Sequence, residues 1–175
     1  QYNVTCITVR SNNVALNCMN FSITNASFAI MVANRNNVTL SNCRISRSNT
    51  AILLKDSTQV KISNTTMQND TYALLLKGAN INFINNAKII NSHYGIYLVN
   101  SSSDTFNRFN SSLNQYGAYL NASVGEIFNS GTAVNNTKLD VYATPDSASA
   151  SYSIMQSTTC GTTNAKWATC KQHIQ

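Results

Sequence analysis

The chain has 175 residues, of which 43% are hydrophobic and only 10% are charged, and its formal net charge is +6 at pH 7. This length fits one domain or one domain with a tail, and the charged fraction is far below the roughly 25% of an average soluble domain. Neither a run of basic residues nor an apolar stretch of roughly 18 residues is present, so we expect no nucleic-acid partner and no membrane span.

The predicted strands begin near the N-terminus, at residues 2–9, and then recur at a constant interval. Residues 51–55 (AILLK) return as residues 73–77 (ALLLK). Apolar side chains alternate with a period of two, which is strand spacing, and self-similarity at this length is typical of a solenoid. Two apolar columns follow from the interval: Ile30, Ile52, Leu74, Ile96 and Ala118, and Val32, Leu54, Leu76, Leu98 and Leu120.

Further columns support the same repeat. Ile7 and Val9 are expected to begin the two columns, one residue out of step, and Leu139 and Val141 to continue them one residue early. A second pair of apolar columns precedes them: Cys18, Leu40, Ile62, Ile84, Phe106 and Phe128, and Ile23, Ile45, Met67 and Ile89. The sequence therefore predicts an all-β parallel β-helix of about seven coils of about 22 residues each, with strands about 4.8 Å apart.

Asparagine is unusually frequent throughout the chain. Ten asparagines begin Asn-x-Ser/Thr triplets, which accept N-linked carbohydrate and predict a secreted, cell-surface glycoprotein. An Asn-, Ser- and Thr-rich chain also produces such triplets by chance. The ten triplets begin at Asn3, Asn20, Asn25, Asn37, Asn64, Asn69, Asn100, Asn110, Asn121 and Asn135.

One asparagine column runs through the repeat and comprises Asn20, Asn42, Asn64 and Asn86. Stacked asparagines hydrogen-bond to one another along a cross-β axis, so we expect an inward-facing ladder. An inward side chain cannot carry carbohydrate. Asn20 and Asn64 are therefore expected to be unmodified, whereas Asn37, Asn100 and Asn121 are expected to be better acceptors.

The repeat "ISNTTM…YALLLKGAN…INFINNAKIINSHYGIYLVNSS" resembles the right-handed parallel β-helix superfamily. It is most similar to the pectin-lyase-like and NosD-like repeat proteins, over roughly residues 5–142. The resemblance implies a right-handed parallel β-helix and a non-catalytic extracellular member. It says little about activity, because this superfamily includes lyases, hydrolases, adhesins, phage tailspikes and structural proteins.

The repeat stops after residue 142, which predicts a β-helix over residues 1–142 and a tail over residues 143–175. Alternating apolar residues at 148–154 predict one more strand in the tail. Cys160 and Cys170 bracket a short loop that a disulfide would close, worth about 2–3 kcal/mol by the loop-entropy model. Cys6, Cys18 and Cys43 are left unassigned, and the odd count leaves at least one cysteine free or bonded to another molecule.

An outward-facing stripe is predicted on the main strands, comprising Met31, Leu53, Leu75, Tyr97 and Tyr119, with Asp140 as the next member. Soluble monomers seldom leave such a patch bare. The chain's own tail, a neighbouring copy or a sugar ligand would cover it. A protein is favoured over a sugar, since Met and Leu are poor platforms for carbohydrate.

Candidate chemistry is sparse. Asp104 and Glu126 are separated by one repeat, so they stack in neighbouring coils, where they form either an acid and a nucleophile for glycoside hydrolysis or part of an exposed ion pair with Arg108. No spacing typical of a metal, cofactor or nucleophile site is present, so we assign no catalytic, cofactor-binding or metal residue. Repeated tyrosines, Tyr94 with Tyr116 and Tyr97 with Tyr119, are either a carbohydrate platform or ordinary strand residues.

Three hypotheses follow. The first is a secreted, glycosylated structural protein that assembles with copies of itself into a surface filament, head to tail or by strand donation, with covalent N-glycans and no cofactor. The second is a polysaccharide-binding adhesin, or a carbohydrate-active enzyme using Asp104 and Glu126, with surface glycans as partners. The third is a trimeric viral fibre.

Overall fold

The computed structural model describes residues 4–148 and 153–170, which form a parallel β-solenoid with one four-residue helix. None of the helical structure in these residues has the length and apolarity that a membrane crossing requires. The elements in chain order are β1 (Thr5–Val9), β2 (Ala15–Asn17), β3 (Ser22–Thr24), β4 (Phe28–Ala33), β5 (Thr39–Ser41), β6 (Arg44–Ser46), β7 (Thr50–Lys55), β8 (Lys61–Gln68), β9 (Tyr72–Lys77), β10 (Phe83–Ile90), β11 (Tyr94–Val99), β12 (Thr105–Asn107), β13 (Asn110–Ser112), β14 (Tyr116–Asn121), β15 (Ile127–Asn129), β16 (Thr132–Val134), β17 (Leu139–Ala143), α1 (Pro145–Ala148), β18 (Ile154–Gln156) and β19 (Thr159–Cys160).

Two parallel sheets build the coils. Sheet A has seven strands in the order β1-β4-β7-β9-β11-β14-β17. Sheet B has two arms, β2-β5-β8-β10-β12-β15-β18 and β3-β6-β8-β10-β13-β16-β19, which merge in the long strands β8 and β10. A short row of single bridges, which begins at Asn36 and Thr58, links the coils between sheet A and the first arm. Seven stacked strands in sheet A correspond to about six complete turns.

The predicted stacking is confirmed in the middle of the solenoid. Ile52 pairs in register with Leu74, which pairs with Ile96, and all three side chains are completely buried. These apolar columns fill the interior, so each coil buries its inward side chains against the coils on either side. The step from the first coil to the second is one residue longer than the repeat, as predicted, because Ile7 pairs with Ile30.

The register differs from the prediction at both ends. Val141 was predicted to stack on Leu120, but it pairs with Ala118. The step from β14 to β17 is therefore one residue longer than the repeat, whereas the sequence predicted that it is one residue shorter. Asp140 consequently turns inward, and Tyr142 takes its predicted place after Tyr119. Near the N-terminus, Leu16 and not Cys18 precedes Leu40, because that step is also longer than the repeat.

Asparagine is frequent because the corners need left-handed backbone. More than half of the described non-glycine residues with positive φ are asparagines, the residue type that tolerates this conformation best after glycine. The predicted inward ladder is wrong for this reason. Asn20, Asn64 and Asn86 occupy a left-handed corner and are exposed, although Asn86 Nδ2 donates a hydrogen bond to Asn64 Oδ1 at 2.8 Å on the surface. Asn42 has the same left-handed backbone and is half-buried.

The C-terminal segment continues the solenoid beyond residue 142. Strands β18 and β19 pair with β15 and β16 of sheet B, so neither of these strands covers the outward stripe on sheet A. Of the predicted strand at 148–154, residues 149–152 lie outside the described residues, and β18 begins at Ile154. The loop beyond β19 closes this end of the core: Trp167 stacks on Phe128 with ring centroids 6.1 Å apart.

Two disulfides join the cysteines. The predicted Cys160–Cys170 bridge closes the C-terminal loop, and Cys18–Cys43 ties the first two coils together. Cys18 was predicted to be a core column member, and it instead faces a cysteine one coil away. Cys6 is exposed and free.

The corner conformation leads to a stability prediction. Ile81 is β-branched, exposed and left-handed, with φ of 58°, a conformation that costs an ordinary residue roughly 1–2 kcal/mol. Ile81→Asn should therefore raise the free energy of unfolding by about 1 kcal/mol in urea titrations. Ile90→Asn, at a half-buried position of the extended strand β10, should lower it. A loss of stability in both variants would contradict the role of the corners.

Candidate functional site

The acidic pair singled out by the sequence lies inside the solenoid, in a column at one corner. Asp104 and Glu126 are completely buried. Each side-chain oxygen accepts the backbone N–H stacked one coil earlier: Asn82 Oδ1 from Val60 at 2.9 Å, Asp104 Oδ1 from Asn82 at 2.8 Å and Glu126 Oε2 from Asp104 at 2.9 Å. Ser153 Oγ accepts from Glu126 N–H at 3.1 Å and ends the column. The pair therefore holds a corner together and does not face an external polysaccharide.

A second corner uses the same arrangement. Its column consists of Ser48, Asp70, Ser92, Asn114 and Asn136. Asp70 Oδ1 accepts the Ser48 N–H at 2.7 Å, and Asn114 Oδ1 accepts the Ser92 N–H at 2.8 Å. Corner N–H groups lie outside the strand ladders, and a buried N–H needs an acceptor. These inward polar residues supply it, which accounts for most of the buried acids.

Burial shifts the ionisation of the first column. Burial, and after it the nearby Asp104 carboxyl, raise the pKa of Glu126 to about 9 against the hydrogen bond from the Asp104 backbone. Burial likewise raises the pKa of Asp104 to about 7, despite two hydrogen bonds from Asn82. Glu126 Oε1 and Asp104 Oδ2 have no hydrogen-bond partner. The predicted pairing with Arg108 is not formed, because Arg108 is exposed and its Nε donates to Asn85 Oδ1.

The raised values predict how stability depends on pH. The folded state keeps the Glu126 proton to a higher pH than the unfolded chain, so the free energy of unfolding falls as pH rises towards about 9. Between pH 7 and 9 this fall should approach about 1.4 kcal/mol per pH unit, and Glu126→Gln should remove most of it in urea titrations. Asp56→Asn, at an exposed acid, should leave it unchanged. Equal slopes for wild type and Glu126→Gln would contradict the assignment.

A polar cleft of about 570 Å³ lies at the second corner, and sequence reasoning did not find it. It is lined by Arg47, Asn69, Asp70, Asn91 and His93, among others. Burial raises the pKa of Asp70 to about 7, against hydrogen bonds from the Ser48 and Gln68 backbone, and Asp70 Oδ2 has no partner. The sequence indicated this cleft only through residues 47, 69 and 91, which are one repeat apart and stack at the same corner. The lining offers hydrogen-bond donors and acceptors to a polar group.

The outward stripe becomes part of a wider surface on sheet A, which we call the tyrosine face. It contains six tyrosines and the aliphatic residues of the stripe: Met31, Leu53, Leu75, Tyr72, Tyr94, Tyr97, Tyr116, Tyr119 and Tyr142. The five residues predicted for the stripe do stack in one column. The sequence analysis missed Tyr72 and Tyr142, since Tyr72 belongs to a parallel column and Tyr142 depends on the lengthened step before β17.

Ring geometry decides what the tyrosine face offers. Tyr72, Tyr94 and Tyr116 stack nearly parallel, with centroids 5.1 and 5.4 Å apart and interplanar angles of 7° and 8°. Their aromatic faces are therefore covered by one another, and a sugar ring cannot lie flat on the middle of this stack. Tyr119 stands perpendicular to Tyr97 at 4.8 Å. Burial first, and then the neighbouring phenols, raise the pKa of Tyr119 to about 12, so its hydroxyl stays neutral.

The glycosylation triplets lie mainly at the corners. Among the described triplets, the asparagine is exposed everywhere except Asn121, which is half-buried. The Ser123 hydroxyl of that triplet is completely buried and donates to the Asn121 carbonyl at 3.1 Å. Asn64 was predicted to face inward and to stay unmodified, and Asn121 was predicted to be a better acceptor. The structure shows the reverse orientation, with Asn64 exposed and Asn121 half-buried. Asn3 lies outside the described residues. The exposed members are Asn20, Asn25, Asn37, Asn64, Asn69, Asn100, Asn110 and Asn135.

Within residues 4–148 and 153–170, no group of three or more His, Cys, Asp or Glu side chains could hold a metal ion. Residues 1–163 match the family described as periplasmic copper-binding protein (NosD). No curated protein matches the sequence. Among solved structures, trypsin-treated QnrB1, a plasmid-mediated fluoroquinolone resistance protein, is 11% identical and covers 82% of this chain and 90% of its own. The TM-score of this match is 0.19, so the two structures do not share a fold by this measure.

The NosD match covers almost the whole chain, and the described residues form the parallel coils that the sequence resemblance implied. The chain therefore belongs to the NosD family of parallel β-helix proteins.

Proposed function

We propose that this chain is a non-catalytic structural protein that carries carbohydrate at its corners and assembles with copies of itself through the tyrosine face into an extracellular surface filament. A periplasmic family and two disulfides indicate a location outside the cytoplasm. The stacked coils supply a stiff body. The observation that carries the proposal is the tyrosine face, because it is a continuous apolar and aromatic surface with no assigned role.

The composition of this face suits a protein partner. Tyrosine and methionine are enriched in the cores of protein interfaces, and lysine and acidic residues are depleted there. Leu53 is only 8% exposed, whereas Met31 and Leu75 are half-buried, so their burial would be completed by a partner. The mutual stacking of the tyrosines argues against a flat-lying sugar. These features favour a second copy of the chain over a polysaccharide.

The carbohydrate sites leave this face open. Their asparagines lie at the corners, which for Asn64 is the left-handed bend inside strand β8 of sheet B. The exceptions are Asn110 on sheet B and the half-buried Asn121 at the end of β14. Glycans at the corners would therefore provide solubility and keep the edges of the coil apart from neighbours. Contact through sheet A would remain accessible between them.

The C-terminal end of the solenoid bears on the mode of assembly that we propose. The disulfide loop places Ala165, Ala168 and Trp167 against the core at the C-terminal end. Simple head-to-tail stacking would have to displace this loop. In a staggered contact through sheet A, the tyrosine face of one copy would touch two neighbouring copies. Such a contact does not close on itself, so it would produce an open filament. We therefore favour lateral contact over end-to-end stacking or strand donation.

The copper of the family description does not fit the described residues. Copper prefers thiolate, thioether and imidazole ligands. Cys6 lies in β1, Met31 is on the tyrosine face, and His93 packs on Tyr94 with ring centroids 4.4 Å apart. Among the described residues no three His, Cys, Asp or Glu side chains come together, and His93 has only Asp70 as an acidic neighbour in its cleft. We derive no function through copper for this chain, and the buried Asp104 and Glu126 give no support to the hydrolase alternative.

The self-association proposal is tested by charge on the tyrosine face. Met31→Lys combined with Leu75→Lys should abolish the rise in mass with concentration in light scattering, because lysine is poorly tolerated in an interface core. Ser41→Lys combined with Thr105→Lys places the same charges on half-buried outward positions of sheet B, outside every carbohydrate triplet, and should leave association intact. Electron microscopy should show filaments of the wild type and the control only. A wild type that stays monomeric at high concentration would overturn the proposal.

The carbohydrate proposal is tested by peptide mass spectrometry of the native protein. We expect most copies to be modified at the exposed corner asparagines Asn25, Asn37, Asn69 and Asn100. Asn121 should remain largely unmodified, because the hydroxyl of its triplet is buried. Occupancy of Asn121 equal to that of the corner sites would contradict the structural ranking.

A further inference from the structure

The two disulfides of this chain lie at opposite ends of the solenoid. Cys18–Cys43 joins the first two coils, and Cys160–Cys170 closes the C-terminal loop. The sequence has no cysteine between residues 43 and 160, so no disulfide can link the coils in the middle. The disulfides also indicate an oxidising location, and in such a location the phenol rings on these middle coils are a second kind of side chain that oxidation can join.

Two in-register pairs of tyrosines connect strands β11 and β14, and the pairs differ in ring orientation. Tyr94 pairs with Tyr116, and Tyr97 pairs with Tyr119. The rings of the first pair are nearly parallel, with an interplanar angle of 8° and centroids 5.4 Å apart. The rings of the second pair are closer, at 4.8 Å, but they stand perpendicular, at 87°. We call them the parallel pair and the perpendicular pair.

Neighbouring side chains hold the parallel pair in its orientation. Tyr72 stacks on Tyr94 from the preceding coil, with centroids 5.1 Å apart and an angle of 7°. Lys138 Nζ lies over the ring of Tyr116 at 5.2 Å from its centroid. The two rings of the parallel pair are half-buried, so they are supported on the surface of sheet A and still in contact with solvent.

We propose that Tyr94 and Tyr116 are a site of oxidative modification, at which a peroxide-driven one-electron oxidant of the haem-peroxidase class joins their rings as dityrosine. Each phenol gives one electron to the oxidant and one proton to solvent or to His93, whose ring centroid lies 4.4 Å from that of Tyr94. The two phenoxyl radicals form a carbon–carbon bond between positions ortho to their oxygens, and the ortho hydrogens then move to the oxygens. One molecule of hydrogen peroxide takes up the two electrons and two protons and becomes two molecules of water.

Ring orientation selects the parallel pair. The unpaired electron of a phenoxyl radical occupies π orbitals above and below the ring, so two radicals couple when their faces meet, as they do in a parallel stack. Tyr116 has one such neighbour, Tyr94, because Tyr119 and Tyr142 stand at 88° and 61° to it. The bond would fix β11 to β14 in the coils that no disulfide reaches. This inference does not rest on self-association, since both rings belong to one copy.

The test follows the peptides that trypsin releases after oxidation. Cleavage after lysine and arginine places both tyrosines of β11 in peptide 89–108 and both tyrosines of β14 in peptide 109–138. The protein is made in the oxidising periplasm of a bacterial host without N-glycosylation, so that carbohydrate does not alter the peptide masses. It is treated with a haem peroxidase and hydrogen peroxide at a dilution at which light scattering shows single copies. Dityrosine fluorescence gives the yield, and fragmentation of the linked peptides locates the bond.

The variants compare two rings of the same strand. Tyr94→Phe is the test variant and Tyr97→Phe is its matched control, because each removes one hydroxyl from a half-buried ring of β11 and keeps the ring. Tyr116→Phe repeats the test from β14. A urea titration of each variant shows that it is folded, and free tyrosine added to a separate portion shows that the oxidant is active.

The expected result for the wild type is a link between peptides 89–108 and 109–138, located at the parallel pair, in protein that still has the mass of a single copy. Tyr94→Phe and Tyr116→Phe should each abolish this link, although the closer perpendicular pair remains intact in both. Tyr97→Phe should leave its yield unchanged. A bond at the perpendicular pair of equal yield, equal losses in test and control, or links found only in covalent dimers would each overturn the proposal. Absence of any link while free tyrosine is coupled would do the same.

Discussion

The hydrogen-bond ladder between successive coils is the constraint on which this structure depends. It requires every coil to return to the same register, so an added residue, as in the steps to Leu40 and Val141, has to be absorbed outside the paired strands. At the corners the ladder is interrupted, and inward polar side chains accept the N–H groups left over, as Asp104 and Asn114 do. Left-handed residues make the turns between strands, so the same requirement explains the asparagines and the buried acids.

This use of acids inside the coil shapes the outside. Because four of six carboxyl groups serve the interior, the surface is basic, and the two sheets differ in character. Sheet A presents stacked tyrosines around Leu53 and Leu75, whereas sheet B presents cations among amides and hydroxyls. The copies of the chain that we propose as partners would meet the tyrosine face of sheet A.

Much of the fold could be predicted from the periodic spacing of apolar residues in the sequence. The stacking of Ile52, Leu74 and Ile96 followed from the exact repeat, and the Cys160–Cys170 bridge from its short spacing. Two of the errors concern places where the repeat slips, and the wrongly oriented asparagine ladder concerns the left-handed backbone at the corners. Periodicity cannot show whether an added residue is absorbed before or after a strand, so Asp140 was placed outside, although it is buried and accepts hydrogen bonds from the loop beyond β19.

The sequence by itself determined the coil length, the inward apolar columns and the number of Asn-x-Ser/Thr triplets, because these depend on local spacing and residue type. Only the tertiary structure decided which polar residues face inward. A corner asparagine such as Asn64 and an interior one such as Asn82 are chemically identical, and the backbone conformation at each corner alone directs one to solvent and the other to a buried N–H. The partition of charge between interior and surface therefore emerges only when the coils are closed and stacked.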